Sequence, residues 1–271
     1  MSEQSYALDD LLALMARLRD PQHGCPWDLK QNFESIVPHT LEEAYEVADA
    51  IAQKDWSHVE DELGDLLFQV IFYSQLGKEQ SLFTFESVVS NVVEKLIRRH
   101  PHVFPDGNLA TPPGAVTLNE AEINQAWEKI KQQERSDKKH QGVLADIPQS
   151  LPALSRAQKL QKRAAQVGFD WNDPLLVLDK IEEEIAELRE AIASGNQDAV
   201  KDEMGDLLFA QVNLARHLGV SAESAVRSTN QKFERRFNYI EQHVTASEKA
   251  WQEYSLDELD QWWDEAKSQG L

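Results

Sequence analysis

One acidic pattern occurs twice in this chain, and it constrains the fold more than any other feature. Glu42-Glu43-x-x-Glu46 is followed, after fifteen intervening residues, by Glu62-x-x-Asp65. Glu183-Glu184-x-x-Glu187 is followed, at the same interval, by Glu203-x-x-Asp206. A single offset of 141 superimposes all five carboxylates. The neighbours match as well, Gly64-Asp65-Leu66-Leu67-Phe68 against Gly205-Asp206-Leu207-Leu208-Phe209. Carboxylates three and four residues apart share one helix face. The pattern therefore predicts a duplicated helical unit, each copy able to hold a cation.

Helical periodicity dominates the rest, and no strand pair stands out. Helices are predicted near 7–19, 40–53, 57–77, 84–99 and 119–134, then near 151–166, 174–193, 197–217, 221–242 and 256–268. Breaker-rich stretches run from Pro105 to Gly114 and from Gly142 to Pro152. We expect an N-terminal domain over 1–136, a linker over 137–150 and a C-terminal domain over 151–271. Other features recur too. Trp27 and Trp171 each precede the first acidic helix, and Lys95-x-x-Arg98-Arg99 echoes Lys232-x-x-Arg235-Arg236. Trp127 and Trp263 open similar short motifs.

A formal net charge of −20 disfavours nucleic-acid polymers and anionic membranes as partners. An acidic chain holds a phosphate only through a bridging cation or a local cluster of Lys and Arg. Cys25 is the single cysteine, which rules out an intrachain disulfide and a cysteine-based zinc site. This suits a reducing cytoplasm. The N-terminus lacks a signal-peptide layout, and no apolar run approaches the ~20 residues a membrane span needs.

Glu-rich helix faces are usually solvated, but two details argue otherwise here. In the helix over 178–192, Leu178, Ile181, Ile185, Leu188 and Ile192 form the apolar stripe. Lys180, Glu184 and Glu187 lie along one edge of it, Glu183 further round and Glu182 beyond the opposite edge. The helix from Met204 to Leu218 is apolar nearly all round, which predicts burial. Glu203 and Asp206 share a face of it, near Asn213. Buried carboxylates need pairing or a metal. Oxygen-only ligands favour Mg²⁺, or Mn²⁺, over zinc. No His follows a Glu by three residues, so a di-iron bundle is not indicated. Gly64 and Gly205 fit close helix packing better than close approach of a ligand.

Lys232, Arg235 and Arg236, beside Asn230, form a cationic helix face in an acidic chain. Arg matches phosphate geometry bidentately, and recurrence as Lys95, Arg98 and Arg99 favours a phosphate clamp over an ordinary salt-bridged surface. Trp263 either stacks on a base or, more simply, packs in the core.

These motifs, with Gly24-Cys25-Pro26-Trp27-Asp28, Arg98-Arg99-His100-Pro101-His102-Val103-Phe104, Val167-Gly168-Phe169-Asp170-Trp171 and Lys232-Phe233-Glu234-Arg235-Arg236-Phe237, resemble the two-domain MazG nucleoside triphosphate pyrophosphohydrolases over nearly the whole chain. The resemblance implies an all-α NTP pyrophosphatase fold whose helical bundle is completed by dimerisation. It implies conversion of NTP and water to NMP and diphosphate, over a broad range of nucleotides. Carried onto this sequence, the metal ligands are Glu184, Glu187, Glu203 and Asp206. Nucleotide contacts fall on Lys180, Ile181, Glu182, Glu183 and Glu184, on Lys201 and Asp202, on Lys232, Arg235 and Arg236, and on Trp263. Glu183 is the candidate base.

Both halves keep the acids, so Glu42, Glu43, Glu46, Glu62 and Asp65, with Lys95 and Arg98, mark a second site. The cations differ: Lys180 becomes His39 and Lys201 becomes Glu60. The C-terminal half is therefore expected to carry most turnover. The apolar stretch from Leu63 to Leu76 is expected to bury against the same helix of a second subunit. The alternative to an enzyme is a nucleotide- or metal-sensing module that regulates a protein partner.

Overall fold

The computed structural model describes residues 5–110, 119–137, 142–247 and 249–271. Among these the chain is all-α, as the periodicity predicts, with no strand. No described helix is long and apolar enough to cross a membrane. The chain divides into two units, Met1–Glu134 and Arg135–Leu271. The expected linker over 137–150 lies partly outside the described residues.

Unit 1 holds α1 (Leu8–Leu18), α2 (Pro26–Lys30), α3 (Phe33–Gln53), α4 (Trp56–Glu79), α5 (Phe85–Arg99) and most of α6 (Glu120–Asp137). Unit 2 holds α7 (Ala153–Ala165), α8 (Pro174–Ser194), α9 (Gln197–His217), α10 (Ala222–Ala246), a 3₁₀ turn at Trp251–Glu253 and α11 (Leu256–Ser268). The pairs α3/α4 and α8/α9 are the most extensively packed in their units. Two residues join each pair. Lys54, in the left-handed conformation at φ 59°, closes α3, and the Asp55 carboxylate caps α4. Gly195, at φ 68°, closes α8, and the Asn196 side chain caps α9. A left-handed stop followed at once by an N-cap folds the second helix back along the first.

Helix α3 starts seven residues earlier than predicted. Asn32 accepts from the Ser35 N–H while the Ser35 hydroxyl accepts from the Asn32 N–H. This reciprocal cap fixes the start upstream of Pro38, which the helix absorbs in its second turn. The short α2 and the 3₁₀ turn were also not expected.

Unit 1 packs Met15, Ile36, Ile71, Phe72 and Leu76 into its core. Beside it, the buried Arg19 guanidinium donates to both carboxylate oxygens of Glu79, at 2.8 and 2.6 Å, and to the carbonyl of Asp28. These bonds fasten α1 and α2 to α4. Gly24 has a steric reason: a Cβ there would sit 2.4 Å from the Leu18 carbonyl oxygen. The Gly24-Cys25-Pro26-Trp27 turn thus sets Trp27 against α3, edge-on to His39 at 5.8 Å.

Burial corrects two expectations. The buried face of α8 is Val177, Glu184, Leu188 and Ala191, whereas Leu178, Ile185 and Ile192 of the expected stripe are exposed. Glu184 lies within the buried face, not at its rim. Helix α9 is not enclosed by its own unit. Ala210, Val212 and Asn213 are buried, but Met204, Leu208 and Phe209 are 42–47% exposed. Close packing does not explain the mid-helix glycines either, because a Cβ on Gly64 or Gly205 would meet nothing within 4 Å.

Candidate active site

Each unit has a cavity at its helix pair, and the two are built from equivalent positions. In unit 2 a space of about 370 Å³ is bounded by α7, α8, α9 and the 169–171 turn. In unit 1 a space of about 300 Å³ lies among α2, α3 and α4. The linings pair Trp27 with Trp171, Ile36 with Val177, His39 with Lys180, Glu43 with Glu184, Asp65 with Asp206, Phe68 with Phe209, Gln69 with Ala210 and Phe72 with Asn213. The duplication read from the acids therefore extends to the cavity walls, with three chemical changes: Lys to His, Ala to Gln and Asn to Phe.

The structure brings three of the four predicted C-terminal ligands together. Carboxylate oxygens of Glu184, Glu187 and Glu203 lie within 4.8 Å of one another. Asp206 stands outside this trio, on the cavity wall. In unit 1 the trio is Glu43, Glu62 and Asp65, with Glu46 outside it. Crowding marks both groups. Burial raises the Glu203 carboxyl above its ordinary value, and the charges of Glu187, Glu184, Asp206 and Asp202 push it the same way. Glu43 is raised by burial, by a hydrogen bond with Glu46, and by the charges of Asp65, Glu46 and Glu62. Both clusters also hold a buried carboxylate oxygen without a hydrogen-bond partner, Oε2 of Glu184 and Oε2 of Glu62. Such an oxygen costs roughly 1–3 kcal/mol if left unsatisfied. Oxygen-only, mutually repelling and partly unsatisfied, each cluster has the ligand chemistry of a hard divalent cation.

Lys180 sits at the edge of the unit 2 cluster, with Nζ 2.7 Å from Glu183 and 2.8 Å from Glu184. Hydrogen bonds to Glu183 and Glu184 raise its ammonium above its ordinary value, so it is a fixed positive charge. Glu182 and Glu183 are exposed and Ile181 half-buried; Lys201 and Asp202 are exposed at the start of α9. In unit 1 His39 replaces Lys180 and lies 3.7 Å from Glu42.

The predicted basic clamp is not assembled at the cavity. Lys232, Arg235, Arg236 and Trp263 do not line it. Arg236 donates to the Leu271 carbonyl at 2.8 Å and lies over the Trp263 ring. Trp263 also packs on Phe233, so core packing is the reading that fits it. In unit 1 both Arg98 and Arg99 bind the Glu134 carboxylate, at 2.7 and 2.5 Å, and the Arg99 bond leads in holding Glu134 down at about 2. Those two arginines are committed to structure. Lys95 is half-buried on the same helix.

Sequence reasoning missed several wall residues. Asp170 accepts from Arg216 at 2.5 Å and contacts the His217 ring at 3.0 Å. Burial alone would raise Asp170, but these bonds hold it below its ordinary value. Arg216 also donates to Asn213 Oδ1 at 2.7 Å. The recurrent tryptophans and the Val167-Gly168-Phe169-Asp170-Trp171 motif point to this region, though without a role for Asp170; Gln161 and Arg216 carry no signal.

The MazG nucleotide pyrophosphohydrolase domain matches the chain twice, over residues 31–104 and 172–240. A nucleoside triphosphate pyrophosphohydrolase of Escherichia coli (strain K12) is 48% identical, covering 97% of this chain and 98% of its own. The nucleoside triphosphate pyrophosphohydrolase/pyrophosphatase MazG of Thermotoga maritima is 42% identical, covering 98% of each. An uncharacterized Bacillus subtilis protein, YabN, is 40% identical over 94% of this chain but only 50% of its own length. The chain belongs to the MazG family.

Proposed function

We propose that this chain is a nucleoside triphosphate pyrophosphohydrolase, cleaving the α–β phosphoanhydride to release nucleoside monophosphate and diphosphate. The observation that supports the reading most is the convergence of Glu184, Glu187 and Glu203 in one cluster, which meets the cavity through Glu184, whose buried Oε2 lacks a partner. The donor set fits Mg²⁺, with Mn²⁺ as a substitute, and Glu184, Glu187, Glu203 and Asp206 would hold it. When bound, the cation supplies Lewis acidity toward the phosphoryl oxygens.

The chain's own groups do the rest. Lys180 presents a fixed positive charge beside the cluster, where charge builds on the leaving diphosphate. Glu183 is the candidate base: Lys180 holds its Oε1 at 2.7 Å, and Oε2 is the oxygen that would take a proton from the attacking water. Lys232 and Arg235 are exposed and hold no ion pair among the described residues. We assign them to the phosphates of a nucleotide that reaches α10, Arg236 being tied to Leu271. Most turnover belongs to the C-terminal half, since unit 1 has His39 for Lys180 and Phe72 for Asn213. The exposed apolar positions Leu63, Leu67 and Val70 of α4 follow i, i+4, i+7 spacing, as does a seam that closes against another helix. We propose that a second subunit covers them. A reducing cytoplasm suits the single Cys25.

The test is product identity from ATP with and without Mg²⁺. AMP and diphosphate in equal amounts, only with the metal, is the expected result. ADP and phosphate would mean that a different bond is cut. Tight Mg²⁺-dependent nucleotide binding without turnover would favour the sensing module.

A further inference from the structure

The lining of the unit 2 cavity is chemically mixed. Glu184, Asp206 and Lys180 are its charged members beside the carboxylate cluster, and Leu144, Leu160, Phe169, Trp171 and Phe209 supply apolar and aromatic wall. Two buried amides interrupt that wall, Gln161 at 7% exposure and Asn213 at 4%.

Their orientations are dictated by their partners. Gln161 faces the carbonyl oxygen of Phe209 at 2.8 Å, an acceptor, so its NH₂ group must be the atom bonded there. This leaves Gln161 Oε1 buried with no partner. Asn213 is gripped by the Arg216 guanidinium, which only donates, so its Oδ1 must be the atom bonded there. Its NH₂ remains to donate. The wall thus offers one acceptor and one donor amid apolar surface. A phosphate has no N–H for Gln161. A nucleobase does: the Watson–Crick edge of every common base carries an N–H next to an acceptor.

The geometry points to Gln161 and Asn213 as the residues that read the nucleobase, Gln161 Oε1 accepting an edge N–H and Asn213 donating to the adjacent acceptor, while the flat apolar wall contacts the ring faces. This deepens, and rests on, the assignment of the cavity as a nucleotide site. One acceptor and one donor require a base but do not choose among bases, so the pair is expected to accept several. Unit 1 lacks the pair. Gln69 gives it an unpartnered buried acceptor, but Phe72 stands where Asn213 would donate.

The test removes one N–H from the ligand. N3-methyl-UTP lacks the only Watson–Crick-edge donor of UTP. The wild-type protein with Mg²⁺ is expected to favour UTP by about tenfold in kcat/KM, the effect of one net hydrogen bond. Gln161→Met is expected to reduce that preference to about threefold or less. Equal use of the two nucleotides by wild type, which needs no variant, would overturn the inference. So would a preference that survives intact in Gln161→Met. If the wild type hydrolyses neither, the hydrolase reading fails, and calorimetric binding of UMP against N3-methyl-UMP decides the pocket by the same ratio.

Discussion

Lys180 Nζ lies 2.8 Å from Glu184 Oε1, while Oε2 of the same carboxylate is buried without a partner. One lysine thus satisfies half of a buried acid and leaves the other half for something else. A cation bound to that half would make Lys180 both a brace for the cluster and a competitor of the metal.

Lys180→Met separates the two roles. With the competing charge removed, Mn²⁺ binding in the absence of nucleotide should tighten, as read by calorimetry. Removing a positive charge aimed at the leaving group should lower kcat/KM for ATP by ~100-fold. Weaker metal binding together with unchanged turnover would contradict this role.

Glu203 gives a prediction in pH. Its carboxyl is raised in the folded chain, first by burial and then by neighbouring charge. A raised acid favours folding while protonated, and that contribution is lost as pH rises through its folded value. In chelator, Glu203→Gln should therefore melt above wild type at neutral pH, with the gap closing toward acid pH. Added Mg²⁺ should stabilise wild type more than the variant. A gap that widens toward acid pH would have the wrong sign.

Glu134 gives the opposite sign. Arg99 and Arg98 lower its carboxyl from 4.5 to about 2. Its contribution is present above pH 4.5 and fades as pH falls toward 2. Glu134→Gln should lower the melting temperature by a few degrees at pH 7, ~1 kcal/mol for a partly exposed bridge, and by little near pH 2. Circular dichroism melts at several pH values check this.

The apolar seam is tested by size. Leu63→Lys with Leu67→Lys should shift the chain from dimer to monomer in sedimentation at micromolar concentration while keeping its helicity. A wild-type chain that is already a stable folded monomer would contradict the second subunit.

Much of this was legible in the sequence because helices write their period directly. The acid spacing located Glu184, Glu187 and Glu203, and the duplication located the second cluster. The rotation of α8 was not legible. Leu178, Ile185 and Ile192 form a good apolar stripe, yet their own unit buries the face carrying Glu184; a stripe reports that a surface wants cover, not which partner gives it. The start of α3 was masked by Pro38, since the Asn32–Ser35 cap outweighs a breaker one turn later. Arg236 read as a phosphate ligand because its partner, the Leu271 carbonyl, is a backbone atom without a side-chain signature. Gln161 had no signal at all: only the fold makes its oxygen an orphan.

If the C-terminal carboxylate site performs the turnover, loss of its acids and loss of their N-terminal counterparts have different consequences. The most direct measurement is diphosphate release from ATP by Glu184→Ala/Glu187→Ala and by Glu43→Ala/Glu46→Ala, side by side with Mg²⁺. A loss of ~100-fold or more is expected in the first, where several kcal/mol of charge stabilisation goes with the metal, and activity within a few-fold of wild type in the second. Equal residual activity in the two variants would contradict it.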